Sequence, residues 1–137
     1  MEPKKTAEDI IVGIDNLIRQ SYQEWESPEG LSKMLMDLAS LKLGLGYWVA
    51  YASDQERQAD GELKIMREKL KLSYVDSGMT ATKADAKKVI ETEEMQKGYN
   101  KLAYSKELFR IKHTDTQSMI DALRTRISLI KGEINQG

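Results

Sequence analysis

Few side chains in this sequence could carry out a reaction, and those few do not gather. One histidine, His113, and no cysteine stand among 137 residues. A paired-histidine metal site, an HExxH helix and a thiolate nucleophile are therefore excluded. Glu91, Glu93 and Glu94 cluster, but no histidine lies three residues from any of them, as a carboxylate-bridged metal centre would need. They read as a solvated acidic face. Gly44-Leu-Gly46 is followed by Val49 where a dinucleotide fingerprint wants a third glycine, and no phosphate-binding loop occurs elsewhere. His113, among Thr114, Asp115 and Thr116, has no oriented nucleophile or acid beside it and reads as a polar, register-setting residue. The expectation is a protein without a catalytic residue, a metal or a cofactor.

The remaining chemistry is surface charge. In Glu62-Leu-Lys-Ile-Met-Arg-Glu-Lys-Leu-Lys-Leu-Ser-Tyr74, Lys64, Arg67 and Lys71 lie three or four residues apart, which puts them on one helical face. Lys69 flanks that face and Tyr74 supplies a ring close by. Lys83, Lys87 and Lys88 extend the same patch beyond a turn. Lysines and arginines track a phosphate backbone, and an aromatic ring stacks on any base without sequence preference, so the combination suits single-stranded nucleic acid. Routine Glu/Lys solvation of a long helix is the competing reading. Tyr47, Trp48 and Tyr51 offer a second aromatic group, read as packing against the first helix or a neighbouring subunit rather than as a stacking platform.

The elements that must position these residues are helical. Thr6-Ala-Glu-Asp9 is a capping-box-like start, followed by Ile10, Ile14, Leu17, Ile18, Tyr22 and Trp25 at helical spacing. Ser27-Pro28 closes this segment and opens the next. A second helix is expected from Pro28 to about Val75, with the frame Leu31, Leu35, Leu38, Lys42, Leu45, Val49, Ala52, Glu56, Ala59, Leu63, Met66 and Leu70. Such a helix would extend about 70 Å at 1.5 Å per residue. Gly44 and Gly46 predict a kink in it. The turn falls at 76–82, with Gly78 as the left-handed residue and Thr82-Lys-Ala-Asp85 as the next capping-box-like start.

A third helix is expected to about Ile134, with a possible break near His113-Thr-Asp-Thr116. Its frame is Met95, Tyr99, Leu102, Lys106, Phe109, His113, Thr116, Ile120, Leu123, Ile127, Ile130 and Ile134. The polar positions Lys106, His113 and Thr116 leave two alternatives open: a shift of register, or a face turned to a partner chain or to solvent. The fold class is all-α, with an N-terminal amphipathic helix (1–27) and a long antiparallel helical hairpin (28–137). Two long apolar seams further predict a homo-oligomer with coiled-coil-like packing.

Composition agrees. Charged residues make up 31% of the chain and there are two prolines, Pro3 and Pro28, which favours long helices. Residues 1–60 carry 6 Lys/Arg against 11 Asp/Glu, and residues 61–137 carry 15 against 11, so only the second half suits a polyanion. No segment reaches the roughly 20 apolar residues of a membrane span, and Met1-Glu-Pro-Lys-Lys lacks the apolar core of a signal peptide. A cytoplasmic location, without membrane insertion, is expected.

Two stretches, Lys69-Leu-Lys-Leu-Ser-Tyr74 leading into a Ser-Gly turn and Ile120-Asp-Ala-Leu-Arg-Thr-Arg-Ile-Ser-Leu-Ile-Lys131, resemble the UvsY family of bacteriophage recombination mediators over roughly residues 30–133. The family's basic pair that helps hold single-stranded DNA maps to Lys69 and Lys71. The segment from Thr6 to Trp25 matches nothing specific in the family, and the spacing before the turn differs. The resemblance implies a ring-forming accessory factor of homologous recombination. Such a factor binds single-stranded DNA and helps load a RecA-like recombinase onto strands covered by single-strand-binding protein. Two rival readings use other surfaces. One is a helical adaptor, such as a phage anti-defence inhibitor, docking through the acidic first helix or the Tyr47 cluster. The other is a structural coiled-coil component.

Overall fold

The computed structural model describes the backbone of residues 5–136 and side chains through residue 133. The first four residues of the N-terminal reading and the seam position Ile134 lie outside the described residues. Four helices follow in order: α1 (Ala7–Gln23), α2 (Pro28–Asp76), α3 (Ala81–Glu91) and α4 (Glu93–Gln136), with no strand among the described residues. The fold is all-α.

Local chemistry places most of the helix ends. The Thr6 hydroxyl accepts from the Asp9 amide at 3.2 Å and caps α1. The Ser27 hydroxyl accepts from the Gly30 amide at 3.1 Å, and Pro28 opens α2 where its missing N–H costs nothing. At the other end of α2, Gly78 adopts φ 97°. Its amide bonds the Val75 carbonyl at 3.0 Å while the Met79 amide bonds the Tyr74 carbonyl at 3.0 Å, a Schellman closure. That closure is complete at Met79, so the next residue, Thr80, takes the cap of α3, accepting from the Lys83 amide at 3.4 Å. The helix therefore begins two residues before the start expected at Thr82.

The chain divides into two compact units. The first combines residues 1–50 and 108–137, the second residues 51–107. In the first, α1 lies against the first part of α2 and the last part of α4. The core is Ile10 and Ile14 from α1, Leu31, Leu38 and Leu45 from α2, and Ile120, Leu123, Ile127 and Ile130 from α4. These are the seam positions of the two frames, joined by the stripe of α1. Gly44 is part of the packing here. A Cβ on it would meet the Ile10 Cδ1 atom at 3.1 Å, so its hydrogen lets α1 approach α2 closely. The helix runs unbroken through Gly44 and Gly46, and at Gly44 the missing side chain serves close approach. Asp15 of α1 pairs with Lys112, and Arg126 donates to the Trp25 carbonyl at 3.0 Å and to Glu26 at 2.6 Å. As residue numbers rise along α1 they rise along α4, so the two run parallel. Trp48 packs edge-on against Phe109, with ring centroids 6.3 Å apart, and its indole N–H donates to the Lys5 carbonyl at 2.7 Å. Trp48 thus packs beside the first helix, as expected, whereas Tyr47 is 63% exposed.

In the second unit the later part of α2 packs on α3 and the first part of α4. Ala52, Leu63 and Ala84 are buried there. Glu56 meets Lys106 and Tyr99, and Arg67 meets Thr92 and Gln96. Rising α2 numbers meet falling α4 numbers, which is the antiparallel hairpin.

The interruption of the last long helix falls at Thr92, between α3 and α4, and α4 passes through His113–Thr116 without a break. Of the two alternatives for the polar positions, the register shift is not seen: Thr116, Ile120, Leu123 and Ile127, successive frame positions, are all buried. Lys106 pairs with Glu56, His113 sits opposite Gly46, and Thr116 is fully buried with its hydroxyl donating to the Lys112 carbonyl at 2.7 Å. Glu56 and Lys106, one polar interruption from each frame, thus face each other, and the register holds through Thr116. A buried polar group is tolerated when hydrogen-bonded.

Candidate nucleic-acid interface

The lysines around the α2–α3 turn are brought together in part. Lys71 from α2 and Lys88 from α3 both reach Asp85, at 3.2 and 3.0 Å. These two ammonium groups, Lys88 first, hold the Asp85 carboxyl below the usual carboxylate range. Lys87 places its ammonium 4.6 Å from the centroid of the Tyr74 ring. Desolvation, with a hydrogen bond to Glu91, pushes the Tyr74 hydroxyl above its ordinary pKa, so the ring is neutral. Lys69 and Lys83 are exposed, and neither makes an ion pair among the described residues. From Lys69 to Lys88 the chain carries five lysines and two carboxylates, Asp76 and Asp85.

Lys64 and Arg67 are placed differently. Lys64 pairs with Asp60 one turn earlier at 2.8 Å, and that hydrogen bond raises its pKa. Arg67 turns inward: its Nε donates to the Thr92 hydroxyl and its Nη2 to the Gln96 amide oxygen, both at 3.0 Å. The shift has a helical cause. A 3.5-residue frame drifts by about 20° per heptad against a straight 3.6-residue helix. After five heptads from Leu31 the inward position is Arg67, and Met66, the frame position, is exposed. Arg67 thus ties α2 to the α3–α4 junction.

A second feature was not singled out from the sequence. A cavity of about 490 Å³ lies in the first unit between α2 and α4, with Lys42, Tyr47, His113 and Arg124 on its walls. Desolvation, and then the Lys42 charge, holds the His113 imidazole below its usual pKa. No single periodicity marks this site, because its residues come from two helices and the two sets are 66 or more positions apart in the chain. Lys42 and His113, polar residues at seam positions, and Gly46 between them were the signs available in the sequence.

Among the described residues no group of three or more His, Asp or Glu side chains is arranged to hold a metal ion. No helix among them is long and apolar enough to cross a membrane. Comparison with protein-family models, curated proteins and solved structures gave no match to this chain.

Proposed function

We propose that this protein is a non-catalytic, single-stranded DNA-binding factor that grips phosphates at the α2–α3 turn. The carrying observation is the excess of lysines there, presented from two helices around Tyr74, with Lys69, Lys83 and Lys87 exposed. A single strand is preferred over a duplex because Tyr74 offers a ring to an unpaired base. Lys71 and Lys88 already share Asp85, so the exposed three contribute most of the phosphate contact. In this reading Lys64 adds little, and Arg67 acts by holding the junction.

The resemblance to the UvsY mediators supplies the wider proposal. The bound strand is handed to a RecA-like recombinase in the presence of single-strand-binding protein, and self-association repeats the lysine patch along the strand. Repetition of weak sites raises affinity without new contacts. Exposed apolar side chains, including Leu72 and Ile90 near the patch in sequence, are consistent with burial by a second copy.

Fluorescence anisotropy with a labelled oligonucleotide at two salt concentrations tests the reading. Binding should weaken steeply with salt, and the Lys69→Ala/Lys83→Ala variant should lose about 1.4 from the log–log salt slope, at ~0.7 per phosphate contact on a single strand. Binding that ignores both salt and these substitutions would remove the proposal. A second reading, a protein-docking helix, is favoured by Met36, Leu43 and Tyr47. They recur at helical spacing on α2 and are 71%, 66% and 63% exposed.

A further inference from the structure

Five lysines are half-buried among the described residues: Lys42, Lys71, Lys88, Lys106 and Lys112. Four have a carboxylate partner, namely Asp85 for Lys71 and Lys88, Glu56 for Lys106 and Asp15 for Lys112. Lys42 has none. Its ammonium donates to the neutral amide oxygen of Gln117. A charge drawn out of water without a counter-ion is unfavourable, and an anion beside it relieves that cost.

Lys42 stands on the wall of the cavity between α2 and α4. Its volume, about 490 Å³, is within the range of small-molecule sites, roughly 300–1,000 Å³. Arg124, from α4, adds a second cation to the lining, with only a loose contact to Asp121 at 3.8 Å. No lining residue is acidic. The rest of the lining is mostly planar or apolar and includes the exposed Tyr47 ring, the His113 imidazole, Leu43 and Ile120. Gly46 keeps the imidazole accessible, since a Cβ there would lie 3.6 Å from His113 Nε2. Two cations, flat and aliphatic groups and no carboxylate in one lining define the complement.

We propose that this cavity binds a small planar aromatic anion, its acidic group on Lys42 and Arg124 and its ring between Tyr47 and His113. The site shares no residue with the lysine patch, so the inference stands or falls separately from the nucleic-acid reading. Naphthalene-1-sulfonate is a suitable probe, followed by amide chemical shifts of the full chain. Binding should shift Gly46, His113 and Gln117. Lys42→Gln should weaken it by about tenfold or more, the scale of one hydrogen bond to a charged group. Arg124→Gln should weaken it less, because that side chain is more exposed. Gly46→Leu, which fills the cavity from a helical position, should abolish it while circular dichroism stays helical. 1-Naphthalenemethanol, the neutral analogue, should bind far more weakly, and inorganic phosphate should not displace the probe at equal concentration. The proposal is overturned if shifts map elsewhere, if the neutral compound binds as well, if phosphate competes equally, or if folded Lys42→Gln and Gly46→Leu proteins bind like the parent.

Discussion

Arg67 and Lys69 are two positions apart on one helix and do opposite things. The Arg67 guanidinium is half-buried and satisfies the Thr92 hydroxyl and the Gln96 amide, whereas Lys69 is exposed to water. Arg67→Ala should lower the unfolding free energy by about 1–3 kcal/mol, because buried partners lose their donor. Lys69→Ala should change it by less than about 0.5 kcal/mol, as for most surface substitutions. Urea unfolding of the two variants distinguishes them. His113 makes a pH prediction. Its folded pKa lies below the unfolded value near 6.5, so the unfolded chain takes up the proton first as pH falls. The stabilisation is present above that pH and is lost as pH falls through the folded value. His113→Gln should flatten the stability profile between pH 7 and 5, measured by thermal melting, and an unchanged profile would remove His113 as its cause.

At the scale of elements, the turn and the seam each depend on a few positions. Gly78 occupies the left-handed region at φ 97°, where a Cβ crowds the following carbonyl. Gly78→Ala should cost about 1–2 kcal/mol, read from the shift of the urea midpoint, although open space surrounds the site. Crowding of neighbours is therefore not the cause, and the backbone is. In the seam, Glu56 is a carboxylate whose side chain is 17% exposed and whose partners are Lys106 and the Tyr99 hydroxyl. The Lys106 ammonium is held above its ordinary pKa by that contact. Removing one partner strands the other, while replacing both with apolar groups of similar size need not destabilise. Glu56→Leu should accordingly lower the melting temperature, and Glu56→Leu/Lys106→Leu should recover it. A double variant that melts no higher than the single one would mean the pair is required for the fold itself.

For the molecule as a whole, the charge asymmetry and the two units bear on function. The lysine patch belongs to the second unit and the cavity beside Lys42 to the first, so each can be removed without touching the other. The mediator-like reading adds self-association. Sedimentation should then give a mass well above 15.6 kDa at micromolar concentration, and avidity for long oligonucleotides should exceed that for short ones. A constant mass of one chain, with equal affinity for short and long strands, would leave a monomeric binder.

Helical periodicity, caps and turn chemistry are local in the chain, and the sequence by itself determined what they govern. The all-α class, the caps at Thr6 and Ser27, the closure at Gly78 and the inward positions Leu31 to Leu63 and Ile120 to Ile130 were legible in this way. The 3.5-residue frame failed at Met66 because a small angular error accumulates along a long helix, and only the packed structure shows the inward position passing to Arg67. The tie from Arg67 to Thr92, the pairing of Glu56 with Lys106 and the contact of Lys42 with Gln117 were decided by tertiary structure. Each depends on a side chain 25 to 75 residues distant in the chain, and periodicity says which way a residue faces but not what it meets.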